Sequence, residues 1–422
     1  MKKKTVSTMM ALCIAAISMM AGFGCLQAAA DETAVERPAE IPEETIKIGI
    51  AELQSNEEAV NRKNYYENYI APYYNVEFVF SEAISDSEDL VSFVENCADA
   101  GCKGIIGFSP DSPEQVTSIC QEYGMMYVVN MVRSASNENC YTDTYDNYAS
   151  FAVNNDAIAE SFGSWLAENA SEDGEEGFLL CSAAANYGVQ QHILIIKNAL
   201  KALQDLYGLT YDQDIETMAI SSSPIEATND KGVHIYIYPG DPNRMDGWLS
   251  GFTSAIQTNK YAVVLGCTEI YNVVSVAVQE AEEVMDKDVK VACMASLSES
   301  LKNAFHTEDR FGNQTLNLAI VKPTGFTDTI GFVNCYNLIT GYHDSVMGSD
   351  GEVADTNGKL WEVTDAESCD HLTDIYEGNY HVFSYEDINR MLGIFNPDIT
   401  HEDIMEVIDA KTIDSVLEEM EG

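Results

Sequence analysis

The chain has 422 residues, and its 69 Asp and Glu against 22 Lys and Arg give a formal net charge of −47. Phosphate binding needs a basic face, so this charge argues against nucleic acid as a partner. The length predicts two or more domains, and the hydrophobic fraction of 46% is enough for a substantial core. The acidic surface either keeps the protein in solution or favours cationic ligands, and the sequence does not separate these interpretations.

The beginning of the chain has the pattern of an export signal. A basic start, Lys2-Lys3-Lys4, precedes an apolar stretch from Val6 to Phe23. Two processing sites compete. Gly22-Phe23-Gly24-Cys25 resembles a bacterial lipobox with Cys25 as the lipid attachment site, although Leu is usual where Gly22 stands, and Ala28-Ala29-Ala30 offers ordinary cleavage. We therefore predict a signal peptide over 1–25. The mature protein would be extracytoplasmic, held at the outer face of the cell membrane by a lipid anchor, or periplasmic or secreted if cleaved after Ala30.

Residues 26–45 are predicted to be a disordered tether, because the stretch is acidic, contains Pro38 and Pro42 and lacks apolar periodicity. The 11 cysteines include no CxxC pair and no Cys/His pair at zinc-ligand spacing, so we predict no metal and no cofactor. Cys97 and Cys102 are close enough for a local disulfide. For most of the later cysteines, buried free thiols are the favoured interpretation.

Four short apolar runs alternate with stretches of helical spacing in the next part of the chain. In one of these stretches Leu90, Val94 and Cys97 share a face. Strands of this kind between amphipathic helices predict a parallel sheet covered on both sides, with ligands at the carboxyl ends of the strands. The predicted strands are Ile46–Ile50, Val76–Phe80, Gly104–Phe108 and Met126–Val129.

A polar stretch from Met131 to Tyr148 is predicted to cross to a second alternating series. Helices are predicted at Asp156–Ala170, Gln190–Leu206, Leu249–Gln257 and Tyr271–Met285, and strands at Gly177–Cys181, Ile215–Ile220, Val233–Tyr238, Ala262–Leu265 and Val289–Met294.

The last part of the chain is less regular. A turn at Asp355–Gly358 suggests a calcium loop, but Val353 and Thr364 occupy the end positions where oxygen ligands are needed, so the motif fails. Trp361–Val363 and His381–Phe383 are predicted strands. Tyr385 to Gly422 is predicted to form one or two acidic amphipathic helices that pack on the rest of the protein.

Taken together, the order of these elements resembles the type I periplasmic-binding-protein superfamily over Ile46 to Gly341. The resemblance rests on the opening strand, on the passage from Gly101 to Pro110, on Phe151–Asp156, and on Leu316–Pro323 with the apolar helix after it. It implies an α/β fold with two Rossmann-like lobes, parallel sheets and hinge crossings. The expected boundaries are 46–133 plus 297–345 for lobe 1, 134–296 for lobe 2, and 346–422 for an extension packing on the lobes.

The resemblance also implies a function. Members of this superfamily are solute receptors of ABC importers that close by a hinge motion on a ligand in the cleft. We therefore expect a monomer that binds a small molecule, most often a carbohydrate in this class, and delivers it to an ABC transporter permease. A repressor of this class would carry a DNA-binding helix pair where the leader and the acidic tether stand. A sensory receptor for a membrane kinase or chemoreceptor, and a receptor for a nucleoside or amine solute, remain alternatives.

Candidate ligand-binding residues are polar or aromatic side chains that follow predicted strands or open the second lobe, because sugar hydroxyls need fixed donors and acceptors beside an apolar face. Arg133 is the leading candidate, since a lone cation after a strand end can bind paired oxygens. For each candidate the alternative is a turn residue or a helix cap, and for Arg133 it is a salt bridge. The set is Gln54, Asn56, Ser109, Asp111, Asn130, Arg133, Asn155, Asn186, Tyr187, Asp241, Glu269 and Tyr271.

Three departures from the sugar-receptor pattern leave the ligand class open. The helix from Gln190 lacks the usual Arg, Ala295-Ser296 stands where Asp is frequent, and Thr268-Glu269 stands where Asn-Asp is usual. Enzyme motifs are also missing: the sequence contains no P-loop, GxGxxG, GxSxG or HExxH. We therefore predict a binding protein without catalytic residues, and an unrecognised hydrolase is the weaker alternative.

Overall fold

Two β-sheets and the helices that cover them make up the described part of the chain, which in this computed structural model comprises residues 37–135, 137–141, 145–183, 190–242 and 245–421. The predicted signal peptide, Cys25 and most of the predicted tether lie outside these residues. In the described ranges, no helix has the length and apolar character needed to cross a membrane.

The secondary structure follows the predicted alternation closely. The strands are β1 (Ile46–Ala51), β2 (Val76–Phe80), β3 (Gly104–Gly107), β4 (Met126–Asn130), β5 (Tyr148–Val153), β6 (Phe178–Ser182), β7 (Ile225–Glu226), β8 (Ile235–Pro239), β9 (Val263–Gly266), β10 (Lys290–Ser296), β11 (Leu318–Lys322), β12 (Asp355–Gly358) and β13 (Trp361–Val363).

The α-helices alternate with these strands and become consecutive near the carboxyl terminus. They are α1 (Glu57–Tyr65), α2 (Ala71–Tyr74), α3 (Ser87–Asp99), α4 (Pro113–Glu122), α5 (Asn155–Asn169), α6 (Gln190–Tyr207), α7 (Ile215–Ala219), α8 (Trp248–Ile256), α9 (Tyr271–Met285), α10 (Glu299–His306), α11 (Phe326–Thr340), α12 (Ala366–Tyr376), α13 (Tyr385–Met391), α14 (His401–Ala410) and α15 (Ile413–Glu421). A π-helical turn, Tyr66–Ile70, joins α1 to α2.

The first sheet has the order β12-β5-β4-β3-β1-β2, and its strands are all parallel. A parallel sheet is covered on both faces, which explains why β1 and β3 are apolar without alternation. Helix α11 packs on β3, β4 and β5. It is buried from Phe326 to Leu338, as expected for a helix that is apolar on most of its surface. We call this sheet and its helices lobe 1.

The second sheet has the order β13-β11-β10-β9-β6-β8-β7. Its five central strands are parallel, while the short edge strands β13 and β7 are antiparallel to their neighbours. Helices α5 and α6 pack against each other, and α6 lies on β6. We call this sheet and its helices lobe 2.

The chain passes between the two sheets three times: after β5, after β11 and after β12. Two of these crossings are joined directly, because the Asn154 N–H donates to the Gly358 carbonyl oxygen at 2.8 Å. Asn154 also caps α5 by accepting from the Ala157 N–H at 3.0 Å. The first crossing is a single residue, Asn154, between β5 and α5, and its hydrogen bond to Gly358 ties it to the third crossing.

Sheet membership differs from the expected lobe boundaries at two strands. β5 belongs to the first sheet, although 134–296 was expected to form lobe 2, and β11 belongs to the second sheet, although 297–345 was expected in lobe 1. The extension expected at 346–422 contributes β12 to one sheet and β13 to the other. Apolar periodicity identifies a strand but does not identify its neighbour. The polar stretch from Met131 returns to the same sheet rather than crossing.

Three local predictions were wrong. The segment at 215–220 is helical rather than extended, since the Asp214 side chain caps α7 by accepting from the Thr217 N–H at 3.1 Å. Residues 381–383 form no strand. The acidic carboxyl-terminal region forms three helices, α13 to α15, rather than one or two.

The cysteines follow the favoured prediction. The nine described cysteines are buried and free, and Cys97 and Cys102 form no disulfide. The prediction of buried free thiols is therefore confirmed for the described residues.

Candidate functional site

A cavity of about 290 Å³ lies between the lobes, at the carboxyl ends of β9, β10 and β11. Lobe 1 contributes one wall through α1 and the start of α11, and lobe 2 contributes the other through the segments that follow β9 and β10. This is where ligands bind in open parallel sheets. Its lining includes Asn56, Glu57, Glu58, Asn61, Arg62, Glu269, Ser296, Leu297, Ser298, Ser300, Lys322, Pro323, Thr324, Asp328 and Tyr376.

Arg62 is the centre of the lobe 1 wall. Its guanidinium contacts three carboxylates: Nε lies 2.6 Å from Asp328 Oδ1, Nη1 lies 2.5 Å from Glu52 Oε2, and Nη2 lies 3.0 Å from Glu58 Oε1. The guanidinium carbon lies 3.4 Å from the centre of the Phe108 ring, a cation–π contact. Only 5% of the Arg62 surface is exposed. We call Arg62, Glu52, Glu58 and Asp328 the arginine cluster.

The carboxylates of the arginine cluster differ in their protonation. Burial raises the pKa of Glu52 to about 7, and the attraction of Arg62 opposes this only in part. One Glu52 oxygen, Oε1, is buried and has no hydrogen-bond partner. The charge of Lys322 instead lowers the pKa of Glu58 below its ordinary value. Lobe 1 therefore presents one carboxyl with a raised pKa and one with a lowered pKa beside the same guanidinium.

The lobe 2 wall carries hydroxyls and one acidic side chain. Glu269 follows β9, burial raises its pKa, and its Oε1 accepts from Asn272 Nδ2 at 3.3 Å. Ser298 follows β10 and caps α10 by accepting from the Leu301 N–H at 3.2 Å. This wall offers acceptors and hydroxyl groups to anything in the cavity.

Two contacts join the lobes across the cavity. Lys322, at the end of β11, forms an ion pair with Glu58 on α1. The Tyr376 hydroxyl, at the end of α12, donates to the Glu57 carboxylate.

Helix α12 is in turn attached to α10 of lobe 2. Asp370 Oδ1 lies 2.8 Å from His306 Nε2 and 3.5 Å from Lys302 Nζ. Tyr376 therefore acts as part of lobe 2 when it contacts Glu57.

A second cavity of about 420 Å³ adjoins the first, and Asn61, Thr324 and Tyr376 line both. It is the more aromatic of the two. Tyr69 lies beside His381, with ring centres 3.7 Å apart, and burial lowers the pKa of His381 to about 4, so the ring is neutral near pH 7. Aromatic faces and asparagine amides therefore stand next to the interlobe cavity.

The structure brings two of the predicted binding residues to the interlobe cavity. They are Asn56 and Glu269. Asn56 also caps α1, since its side chain accepts from the Ala59 N–H at 3.0 Å, as the alternative interpretation anticipated. Tyr271 instead lines a groove that runs along α9 and α10.

Other predicted residues lie outside the described lining of this cavity. Gln54 is exposed in the turn after β1. Ser109 is buried and donates to Asp111 Oδ2 at 3.2 Å. Asn130 is half-buried at the end of β4, and Asn155 begins α5 at the first crossing.

The remaining predicted residues of lobe 2 give less information. Asp241 is half-buried after β8. Asn186 and Tyr187 lie outside the described residues. For these positions, ligand contact stays a prediction from the sequence.

Arg133 makes contacts of a different kind from those expected. Nη2 donates to the Val353 carbonyl oxygen at 3.0 Å, Nη1 lies 3.4 Å from Glu352 Oε2, and the guanidinium stacks over Tyr141 at 4.0 Å. These partners belong to lobe 1 and to the loop before β12, not to the cavity lining. The salt-bridge alternative describes this geometry, and a binding role for Arg133 stays a prediction.

Sequence patterns missed three charged residues of the cavity lining: Arg62 and Asp328 of lobe 1 and Lys322 of lobe 2. The i, i+4 pair of Glu58 and Arg62 on α1 was a visible signal, but it is common on exposed helices. No local pattern relates Arg62 to Asp328, which lies 266 residues later.

Comparison with known proteins supports the architecture. No family model and no curated protein matches the chain. Solved structures do match. A galactofuranose-binding protein is 11% identical with a TM-score of 0.53, and the match covers 79% of this chain and all of the other. A periplasmic solute-binding protein of an ABC transporter from Actinobacillus succinogenes 130z, with bound D-allose, is 15% identical with a TM-score of 0.52, covering 77% and 99%.

A third solved structure covers more of this chain. The substrate-binding protein of a sugar ABC transport system from Bordetella parapertussis 12822 is 12% identical with a TM-score of 0.50, covering 83% of this chain and 98% of the other. At such identities the likeness establishes the fold alone. The chain has the two-lobed α/β fold of type I periplasmic binding proteins, which confirms the fold expected from the sequence.

Proposed function

We propose that the chain is an extracytoplasmic solute-binding protein that holds a small polyhydroxylated ligand, most simply a monosaccharide, in the interlobe cavity and delivers it to an ABC importer. The observation that carries the proposal is the cavity itself, which both lobes line with polar side chains at the carboxyl ends of strands. No catalytic step is part of the proposal.

The size of the cavity supports a small ligand. Its volume of about 290 Å³ is close to the lower end of the ~300–1,000 Å³ of small-molecule sites. An oligosaccharide would need the adjoining aromatic cavity as well. We therefore propose a single ring in the interlobe cavity.

The chemistry of the lining supports hydroxyl recognition. Each sugar hydroxyl both donates and accepts, and it is satisfied by carboxylate or amide oxygens together with amide or ammonium donors. The cavity offers Glu269 as an acceptor, the amide of Asn61 as both donor and acceptor, and Lys322 as a donor. The solved structures that share the fold include proteins named for galactofuranose binding and for bound D-allose, which agrees with this ligand class.

We further propose that the lobes close on the ligand by a hinge motion at the three crossings. The ion pair of Lys322 with Glu58 and the hydrogen bond of Tyr376 with Glu57 would hold the closed arrangement. Delivery to a permease, attachment through Cys25 and a monomeric state belong to the same proposal, and the leader sequence supports the export step.

An amine-bearing solute is a second candidate ligand, and charge favours it. Glu57, Glu58, Glu269 and Asp328 line the cavity, against Lys322 and Arg62 as the cationic side chains of the described lining. Excess carboxylate attracts a cation. An amino sugar would use both the hydroxyl-binding groups and this excess charge.

The test is a binding screen by thermal shift and calorimetry on the mature chain, with neutral monosaccharides, polyols, amino sugars and nucleosides. We expect one class to bind with 1:1 stoichiometry and to be recovered unchanged. Glu269→Gln should weaken that binding about tenfold or more, because a charge-assisted hydrogen bond is worth about 1.5–3 kcal/mol.

Arg133→Ala tests the competing binding residue predicted from the sequence, since it removes a charge outside the cavity lining, and we expect the variant to bind the ligand as the wild type does. If Arg133→Ala abolishes binding and Glu269→Gln does not, the site is not the interlobe cavity. Conversion of any ligand to product would overturn the receptor proposal.

A further inference from the structure

Lobe 2 contains a second group of converging acidic side chains far from the interlobe cavity. Glu282 lies near the end of α9, Asp288 precedes β10, and Asp309 lies in the loop between α10 and β11. One carboxylate oxygen from each lies within 4.8 Å of those from the other two. We call these residues the three-carboxylate site.

Burial makes this arrangement unusual. Only 2% of the Glu282 surface is exposed, and Asp288 and Asp309 are half-buried. Each residue has one buried oxygen without a hydrogen-bond partner: Glu282 Oε2, Asp288 Oδ1 and Asp309 Oδ2. A buried carboxylate oxygen that lacks a partner is costly, and three together repel one another.

The other oxygens of two of these residues fix the geometry. Glu282 Oε1 accepts from the Val289 N–H at 3.1 Å. Asp309 Oδ1 accepts from the N–H groups of Phe311 and Asn313 at 2.7 and 2.8 Å. Gly312 has a φ of 79°, and this left-handed residue lets the loop fold back on Asp309. The backbone therefore holds both carboxylates in position and leaves one oxygen of each available.

Basic side chains of the same region are engaged elsewhere. Arg310 Nη2 donates to Asp286 Oδ1 at 3.0 Å, and its Nη1 donates to the Glu283 carbonyl oxygen at 3.1 Å. Lys290 Nζ donates to the Asn169 carbonyl oxygen at 2.9 Å. In the described residues, no Lys, Arg or His forms an ion pair with a carboxylate of the three-carboxylate site, and the charges of Arg310 and Lys290 act on those carboxylates without direct contact.

We propose that the three-carboxylate site binds one divalent metal ion, with Ca²⁺ as the best fit. Ca²⁺ takes about six to eight oxygen ligands in a flexible geometry, so three carboxylates from separate segments suit it, whereas Mg²⁺ demands a near-ideal octahedron and is usually held by only one or two carboxylates. One oxygen of each residue lies within 4.8 Å of the other two, close enough for the three carboxylates to share one ion. Glu282 also lines the groove along α9 and α10, which offers a path for entry.

The role of this ion is structural. Asp288 precedes β10, whereas the cavity residues Ser296 and Ser298 lie at the other end of that seven-residue strand, about 20 Å away. The ion would join α9, the start of β10 and the loop after α10. It would do so without contacting the ligand, so the inference is independent of the proposed function.

The test is calorimetric titration of CaCl₂ into metal-stripped mature chain at physiological ionic strength, with MgCl₂ as the comparison, and melting in EDTA or Ca²⁺. We expect one Ca²⁺ site and a rise in Tm on the order of 2–4 °C with saturating Ca²⁺. Mg²⁺ should bind at least about tenfold more weakly.

The decisive variant is Glu282→Gln, which keeps an oxygen for the Val289 N–H and removes the charge. This variant should bind Ca²⁺ at least about tenfold more weakly than the wild type. Its Tm in EDTA should equal or exceed that of the wild type, because the substitution relieves repulsion among the carboxylates.

Glu283→Gln is the matched control, since Glu283 is adjacent and exposed. The control should bind Ca²⁺ as the wild type does. Absence of binding by the wild type, or equal binding by Glu282→Gln and wild type, would overturn the proposal, and the wild-type titration decides even if the variant fails to fold.

Discussion

The arginine cluster and the three-carboxylate site each gather three acidic side chains in a chain that carries 69 of them. In the arginine cluster, one guanidinium contacts all three carboxylates. In the three-carboxylate site, three buried oxygens have no partner. The difference teaches that buried carboxylates stay ionised only beside a countercharge, which the fold itself supplies at one place. At the other place, we propose that a Ca²⁺ ion from solution supplies it.

The largest expected effect comes from removing the internal cation. Arg62→Met should lower the free energy of unfolding by about 3–5 kcal/mol, because it leaves buried carboxylates without their partner. Denaturant titration of the mature chain measures this. Arg310→Met is the control, since its ion pair with Asp286 is exposed, and it should cost less than about 1 kcal/mol. Equal effects of the two variants would contradict the comparison.

A pH series tests the arginine cluster further. The folded protein raises the pKa of Glu52 from 4.5 to about 7, so between these values the native state binds more protons than the unfolded state. The contribution of Glu52 to stability is therefore greatest below pH 4.5 and declines as pH rises to about 7.

Glu52→Gln removes this titration. Its stability relative to the wild type should rise by on the order of 2–3 kcal/mol between pH 5 and pH 8. Denaturant titrations at several pH values measure the difference. A difference independent of pH would mean that Glu52 titrates normally.

A smaller loss of stability is expected from a substitution of Lys322, which pairs with the half-exposed Glu58 of the arginine cluster. Lys322→Met removes the ion pair with Glu58, whose carboxylate is 49% exposed, and should cost about 1 kcal/mol or less. If Lys322 also holds the lobes together, the variant should weaken ligand binding more than it weakens folding. If the free energies of ligand binding and of unfolding fall by the same amount, Lys322 stabilises the fold and has no separate role in holding the lobes together.

The smallest effect is expected at Arg133. Its side chain is 41% exposed and pairs with an exposed Glu352. Arg133→Ala should therefore change the unfolding free energy by about 1 kcal/mol or less, and ligand affinity should remain within about twofold. Calorimetry with the ligand found in the binding screen measures the affinity.

The fold could be predicted from the sequence more fully than the site, for a physical reason. Periodicity placed α9 at its observed limits, Tyr271–Met285, and β2 at Val76–Phe80. These are local patterns that burial on one face imposes. The lobe to which β5 and β11 belong depends on strand neighbours, which no local pattern records.

The site was harder to predict because its contacts are long-range. Glu269 was predicted because it closely follows a strand, a local feature, and the structure places it in the lining of the cavity. Arg62 was missed because it lies in the second turn of a helix and meets Asp328 only after folding. The three-carboxylate site escaped prediction for the same reason, since three separate segments supply its carboxylates and they follow no spacing motif.

The buried, unbridged thiols have a consequence for maturation. Nine sulfhydryl groups are enclosed in the interior, so the described polypeptide reaches its native state without cross-linking. Folding then needs no oxidant, and any disulfide formed before the thiols are buried would be non-native and would have to be reduced. The protein should therefore mature best where its thiols stay reduced until they are buried.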